Sequence, residues 1–413
     1  VATSPHAATA EAPQDRIGLI EGSASPAWST PIAGLSVLSR VVAALGRCGA
    51  ADVYLLQARS LPADAVATAR RELASLPSAP TLHIGPAPES GRGGELIVVT
   101  QPLVFDPRIL DRVDADQIDD AVVGFRRAHE AASPLWLVGA RRTGAIAAAI
   151  AADRPAATAL ATAETHTVDP GVGLCDAASS TELEAIERKL YAQARKTSDS
   201  WVARNVDRRV SLWLTRRLVD WPITPNQITL ASTAIGLLGA ILLGVGTYLS
   251  QLLGAALLTS SIIIDGCDGE VARIKFMESE FGRKLDFFLD NVVNVAAIFA
   301  VGAGFAWQSG QNAYLYVSAI NALAAAAAVW PVYSLFFRIN KEAIRLDAPS
   351  TTGTTSVSSM VEGMAGRDFA YAILALAVFG RAHWFAWICL GGMLGFLAVV
   401  SFLWLRERNA NAG

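Results

Sequence analysis

The sequence predicts two units of different class in one chain: an α/β unit with a mostly parallel sheet, then an all-α unit of six transmembrane helices. Three observations predict this. The chain of 413 residues is 52% hydrophobic, with mean hydropathy +0.37, too apolar for an ordinary soluble protein of that length. The apolar residues are unevenly placed: the first half alternates short apolar runs with charged and Pro/Gly-rich stretches, while the second half carries long runs with few charges. Basic residues gather at alternate ends of those long runs.

Taken in order, the start VATSPHAATAEAPQDR lacks the basic residues and apolar core of a signal peptide, so 1–15 is expected to be a disordered tail. Residues 16–182 read as α/β. The β-like runs Ile17–Ile20, Val53–Leu56, Leu96–Val99 and Leu135–Val138 alternate with helical stretches such as Leu35–Leu45 and Ala63–Leu76. That alternation argues a mostly parallel sheet covered by helices. The formal net charge of −3 offers no nucleic-acid footprint. Cys48, Cys175, Cys267 and Cys389 are scattered and form no CxxC pair, which excludes a zinc motif and suits a reducing cytoplasmic face.

Residues 183–222 turn helical and basic. Arg195, Lys196, Arg204, Arg208, Arg209, Arg216 and Arg217 stand just before the first long apolar run, as in a juxtamembrane amphipathic segment lying against anionic headgroups. Six spans are expected within 223–406: Pro225–Leu249, Leu252–Ile264, Phe287–Trp307, Ala313–Phe337, Phe369–Gly380 and Trp384–Leu405. A span needs about 20 apolar residues. The second and third reach it only if their acidic ends continue the same helices, and the fifth is short. Residues 407–413 are expected to form a tail. Loops near Tyr248–Gln251 and Ser309–Asn312 carry no Lys or Arg, whereas Arg273, Lys275, Arg283, Lys284, Arg338, Lys341, Arg345, Arg406 and Arg408 fall on the other side. The positive-inside rule makes that side cytoplasmic, in a multi-pass cell (inner) membrane protein with both termini inside; Arg381 is the exception.

Residues 265–290 read DGCDGEVARIKFMESEFGRKLDFFLD. Charged groups at a span's edge are costly, so these carboxylates are functional candidates. Asp265 and Asp268 are three apart; Asp286 and Asp290 are four apart, so each pair shares a helix face. A short turn joins the two helices, which brings four carboxylates toward one cavity. Such a set repels itself unless metal ions sit between, and hard oxygen ligands suit magnesium or manganese rather than zinc. Gly269 and Gly282 permit close approach of a ligand or a second helix. Arg273 can hold a phosphate as a fork. Together these describe a diphosphate site. An ion-coupled transporter is the competing reading, but its carboxylates belong at the midplane, not the edge.

The pattern D-x-x-D-G-x-x-A-R, eight residues, then G-x-x-x-D-x-x-x-D resembles the signature of the CDP-alcohol phosphotransferases. Asp265, Asp268, Gly269, Ala272, Arg273, Gly282, Asp286 and Asp290 fill every fixed position. The resemblance implies six transmembrane helices, usually in a homodimer, two bound metal ions, and transfer of a phospho-alcohol from a CDP-linked donor (CDP-diacylglycerol or a CDP-polyol) to an acceptor hydroxyl with release of CMP. By position it implies metal binding by the four aspartates and a base role for Asp290. It places Gly269, Ala272, Arg273, Ser279, Gly282, and Asn226 to Thr229 of ITPNQIT at the donor nucleotide. The acceptor, an alcohol or phospho-alcohol, has only basic residues to suggest it: Arg367, Arg338 and Lys284, each also explained by membrane topology. A membrane lipid is expected as one partner.

The first unit resembles a nucleotidyltransferase domain in PIAGLSVLSRVVAALGRCGAADVYLL, VVTQPLVFDPRIL and GLCDAASSTELEAIERKL. The whole arrangement resembles fused inositol-phosphate cytidylyltransferase and di-inositol-phosphate-phosphate synthase enzymes. Yet LIEGSASPAWSTPIAG has no G-x-G and no cation, no lysine precedes Lys189, and Thr100, Gln101 and Pro102 stand where the family has its metal-binding Asp, with Asp106 following. Arg40 and Arg47 are expected on a solvated helix face. The first unit is therefore expected to be inactive. The alternatives are a bifunctional enzyme that also makes its CDP-alcohol, or a non-enzymatic membrane scaffold.

Overall fold

Short aliphatic runs in the first half assemble into one seven-stranded sheet. The structure, a computed structural model, describes residues 16–85, 94–113, 118–127, 130, 132–151, 155–164, 166–170, 173–194, 208–345 and 369–410. The expected tail 1–15 and Arg367 lie outside the described residues. Contacts divide the chain into two units, residues up to Ala192 with Ile274–Met277, and Gln193–Arg273 with Glu278 onward.

In the first unit the strands are β1 Arg16–Glu21, β2 Pro31–Ile32, β3 Leu35–Ser36, β4 Ala50–Leu56, β5 Thr81–Ile84, β6 Leu96–Val99, β7 Leu103–Phe105, β8 Val122–Phe125, β9 Leu135–Val138, β10 His166–Val168 and β11 Leu174–Asp176. The main sheet runs β10-β8-β9-β6-β1-β4-β5; β2 pairs with β3, and β7 with β11. β6, β1, β4 and β5 are mutually parallel, as are β8 and β10. β9 alone runs antiparallel to both its neighbours, β6 and β8. The expectation of a mostly parallel sheet holds, and β6, β8 and β9 are buried along their whole length, as continuous apolar runs require.

Helices α1 Val37–Arg47, α2 Ala65–Leu73, α3 Ala140–Ala151, α4 Ala156–Ala163 and α5 Ser180–Gln193 complete the unit. Ser36 caps α1 by accepting from the Ser39 N–H. Leu19, Leu96, Val98, Val122, Trp136 and Val138 of the sheet pack with Ile146 of α3 and Leu160 of α4. Arg40 departs from expectation. It is 1% exposed rather than solvated, and its guanidinium donates to the carbonyls of Ile32, Ala33 and Ile274 at 2.8, 2.8 and 3.0 Å. Burial lowers its pKa to about 10, so it remains charged at neutral pH, where three carbonyls offset the lost hydration. Helical spacing alone could not reveal this, because the acceptors are backbone carbonyls outside α1, two in the β2–β3 hairpin before it and one at Ile274. Arg47 is exposed, as expected.

The second unit is helical: α6 Arg208–Leu218, α7 Pro225–Val245, α8 Tyr248–Ile274, α9 Glu280–Ser309, α10 Asn312–Arg345, α11 Phe369–Val378 and α12 Trp384–Ala410. Five of these are long and apolar enough to cross a membrane, namely α7, α8, α9, α10 and α12, and the protein is membrane-integral. α11, the expected fifth span, has 10 residues. Gly380 ends it: at φ +70° its N–H reaches the Ala377 carbonyl, and the Arg381 N–H reaches Leu376, the left-handed helix stop that glycine permits. The acidic ends of α8 and α9 do continue their helices, which gives both the length to span.

Small residues set the spacing of α7 and α8. A Cβ at Gly239 would lie 2.8 Å from the Gly254 carbonyl oxygen, and one at Gly254 would lie 2.6 Å from that of Gly239. Close backbone approach of this kind is a main source of helix association in lipid. Gly239→Val is therefore expected to lower the thermal midpoint in detergent by several degrees, since overpacking costs about 1–3 kcal/mol. Gly391→Val on α12, where a Cβ meets nothing within 4 Å, is the matched control. Equal midpoints for the two variants would remove Gly239 from this role.

Candidate active site

Ser279 caps α9 by accepting from the Gly282 N–H at 3.0 Å. The cap fixes where α9 begins and hence which face carries Asp286 and, one turn on, Asp290. Carboxylate oxygens of Asp265, Asp286 and Asp290 all lie within 4.8 Å of one another. Asp265 is 6% exposed; Asp286 and Asp290 are half-buried. At that separation each pair of like charges repels by roughly 3 kcal/mol at an effective dielectric of 20. A divalent cation between them offsets this. The donor set fits such an ion: it is all hard oxygen, comes from two helices, and is partly open.

The fourth carboxylate stands apart from this triad. Asp268, 9% exposed, accepts from the Thr229 hydroxyl of α7. One turn further along α7, Ser232 Oγ donates to Asp265 Oδ1 at 3.1 Å. Both aspartates of α8 thus accept from hydroxyls three residues apart on α7. The sequence reading selected Thr229 and missed Ser232; the usable signal was the Thr229–Ser232 spacing on a span facing acidic residues.

The expected donor-binding residues fall into two groups. A Cβ on Gly282 would lie 2.9 Å from Asn226 Oδ1 and 3.0 Å from Ser279 Oγ, so Asn226, Ser279 and Gly282 are neighbours. Gly269 lies under the guanidinium of Arg273, with a Cβ position 3.2 Å from Nη1; Arg273 Nε donates to the Ala194 carbonyl at 2.8 Å. Asp265, Asp268, Gly269 and Ala272 share one face of α8 by their three- and four-residue spacing. Among the acceptor candidates, Lys284 is largely exposed and pairs with Glu280 at 3.6 Å, an i,i+4 surface pair of small energetic weight. Arg338 lies on α10, its side chain outside the described residues, and Arg367 lies outside them altogether.

The α/β unit shows a different chemistry where a nucleotide loop is expected. After β1, the segment folds into a short 3₁₀ turn, Pro26–Ser29, around Trp28, which is fully buried and donates to Ser23 Oγ at 3.0 Å. Glu21, at the end of β1, accepts from the backbone N–H groups of Ala156 and Ala157 at 3.1 and 3.4 Å. Its carboxylate caps α4, taking amides of the kind that could otherwise face a phosphate. Asp106 accepts from the Arg108 N–H as the cap of the 3₁₀ turn Pro107–Arg112.

Residues 222–404 match the family described as CDP-alcohol phosphatidyltransferase. Curated relatives include two named bifunctional IPC transferase and DIPP synthase. That of Aquifex aeolicus is 36% identical over 121 residues, 29% of this chain and 27% of the relative. That of Rubrobacter xylanophilus is 38% identical over 136 residues, 32% of this chain and 30% of the relative. The matched stretches thus span under a third of either relative's length. Among solved structures, the phosphatidylinositol phosphate synthase of Mycobacterium tuberculosis with CDP-DAG bound is similar at 18% identity and TM-score 0.32, over 46% of this chain and 94% of that one.

Proposed function

We propose that the CDP-alcohol phosphatidyltransferase domain formed by residues 222–404 makes this chain a metal-dependent transferase, moving a phospho-alcohol group from a CDP-linked donor to an acceptor hydroxyl and releasing CMP. The observation that carries this is the carboxylate triad of Asp265, Asp286 and Asp290; Arg273 over Gly269 and the grouping of Asn226, Ser279 and Gly282 support it. Asp265, Asp268, Asp286 and Asp290 would hold two magnesium or manganese ions. When bound, such ions withdraw charge from the diphosphate and steady the departing CMP.

The chain's own residues do the rest. Asn226, Thr229, Gly269, Ala272, Arg273, Ser279 and Gly282 receive the nucleotide and diphosphate, with the glycines admitting the ligand close to backbone. Asp290 takes the proton of the acceptor hydroxyl. The acceptor oxygen then bonds to the β-phosphorus, the bond from that phosphorus to the bridging oxygen breaks, and that oxygen leaves on CMP. Arg338, Lys284 and Arg367 are the proposed acceptor contacts. The same reading places an α/β unit over 16–182, a juxtamembrane segment over 183–222 and the transferase over 223–406. It sets site and termini at the cytoplasmic face of the cell membrane, in a homodimer. Incubating the purified protein with labelled CDP-diacylglycerol or CDP-inositol and a panel of alcohols, and following CMP, tests it. Absence of CMP release with every pair would count against transfer.

The first unit is proposed to make no CDP-alcohol of its own. A CTP triphosphate needs loop amides, cations and a metal. Here a buried Trp28 fills the loop after β1 and the Glu21 carboxylate caps α4. Full-length protein is expected to release no pyrophosphate from CTP with any sugar or polyol phosphate. Release with one such phosphate would show the unit active and name the alcohol.

A further inference from the structure

Glu270 is the carboxylate of α8 that the proposed chemistry leaves unused, and it is 0% exposed. A carboxylate so buried costs several kcal/mol unless its oxygens are hydrogen-bonded. Both are. Ser211 Oγ donates to Oε1 at 2.8 Å and Thr215 Oγ1 donates to Oε2 at 2.7 Å. The two hydroxyls sit one turn apart on α6 and are themselves 1% and 0% exposed. Cys267 of α8 adds a 3.5 Å contact from its Sγ to the Ser211 carbonyl. Leu212 of α6 and Val219 just past its end are buried too, while Val210 and Trp213 on the other side of α6 are 45% and 57% exposed.

Glu270 lies about 140° around the helix from Asp265 at 100° per residue. The acidic face of α8 is therefore turned away from α6, and the opposite face is tied to it. An apolar residue at 270 would bury at lower cost, but it would let α6 slide along α8. Two hydrogen bonds to one carboxylate admit a single register.

We propose that Glu270 is a positioning residue for the metal site: by latching α6 to the rear of α8 through Ser211 and Thr215, it sets the rotation at which Asp265 and Asp268 meet the carboxylates of α9. This rests on reading the aspartates as metal ligands. The latch lies on the face of α8 opposite the aspartates, so its effect is read in metal affinity rather than in the chemical step.

The test measures Mn²⁺ binding by the full-length protein in nanodiscs, by electron paramagnetic resonance, beside thermal unfolding without metal. The variants are Glu270→Leu, Glu270→Gln, the pair Ser211→Ala with Thr215→Val, and Asp286→Asn as the site control. Loss of an outer-shell partner typically weakens metal binding about 10- to 100-fold. Glu270→Leu and the α6 pair are expected to fall in that range. Glu270→Gln keeps the shape and one acceptor oxygen, so it is expected within about threefold of the parent, as for a role in hydrogen bonding rather than charge. If Glu270→Leu fails to fold, the α6 pair and Glu270→Gln decide. Parental Mn²⁺ affinity in Glu270→Leu and the α6 pair, with Asp286→Asn impaired, overturns the latch alone. A lowered unfolding midpoint with parental affinity also overturns it, since the role would then be only structural. No Mn²⁺ binding by the parent overturns the latch and the metal reading together.

Discussion

Asp290→Asn is expected to abolish transfer while the protein still binds the nucleotide. The substitution preserves size and leaves Asp265, Asp268 and Asp286 in place, so the donor pocket keeps most of its charge. What goes is the proton acceptor, and loss of a general base costs about 100- to 10,000-fold in rate. The position supports the role. Asp290 stands one turn beyond Asp286 on α9, half-buried, with its carboxylate within 4.8 Å of those of Asp265 and Asp286. The measurement is single-turnover CMP release beside CMP or CDP-analogue binding by calorimetry. A fall in rate with binding within a few-fold of the parent is the expected pair of results. Turnover near the parental level would remove Asp290 from the proton-transfer step. Equal loss of binding and rate would assign it to metal holding alone.

Much of this site was legible in the sequence because helical spacing and fixed motif positions both act locally. Three- and four-residue intervals put Asp265 with Asp268 and Asp286 with Asp290 on shared faces before any tertiary information entered. The strands Leu96–Val99 and Leu135–Val138 were read to the residue, because fully buried strands are uninterrupted apolar runs bounded by turns. What escaped was the choice of partners outside each element. The burial of Arg40 depends on carbonyls of Ile32, Ala33 and Ile274, which no periodicity encodes. Ser232 reads as an ordinary span residue until α7 and α8 are seen together, and Glu270 reads as one more charge at a helix end until Ser211 and Thr215 are found on it. The antiparallel direction of β9 between β6 and β8 also escaped, since an apolar run carries no mark of direction. The Thr229 hydroxyl that Asp268 accepts from likewise belongs to another helix, and residue spacing along α8 does not disclose it.

Exhaustive chelation is expected to remove activity completely, and magnesium or manganese, but not zinc, to restore it. The reason lies in the donor set rather than in any one residue. Asp265, Asp286 and Asp290 bring carboxylate oxygens within 4.8 Å of one another, and a CDP-linked donor would add the charge of its diphosphate to the same space. Without cations, donor binding is opposed by like charge, at roughly 3 kcal/mol per close pair at an effective dielectric of 20. Binding and transfer should therefore fail together, unlike the outcome for Asp290→Asn. Magnesium and manganese accept an all-oxygen, octahedral shell that includes substrate oxygens. Zinc favours nitrogen and sulfur donors in tetrahedral sites, and among the described residues the grouped potential ligands are carboxylates only. The decisive measurement is CMP release by chelated protein titrated with each metal, alongside donor binding under the same conditions. Full turnover after chelation would contradict a metal site at the triad. Equal rescue by zinc would contradict the inference from ligand hardness while leaving the triad itself intact.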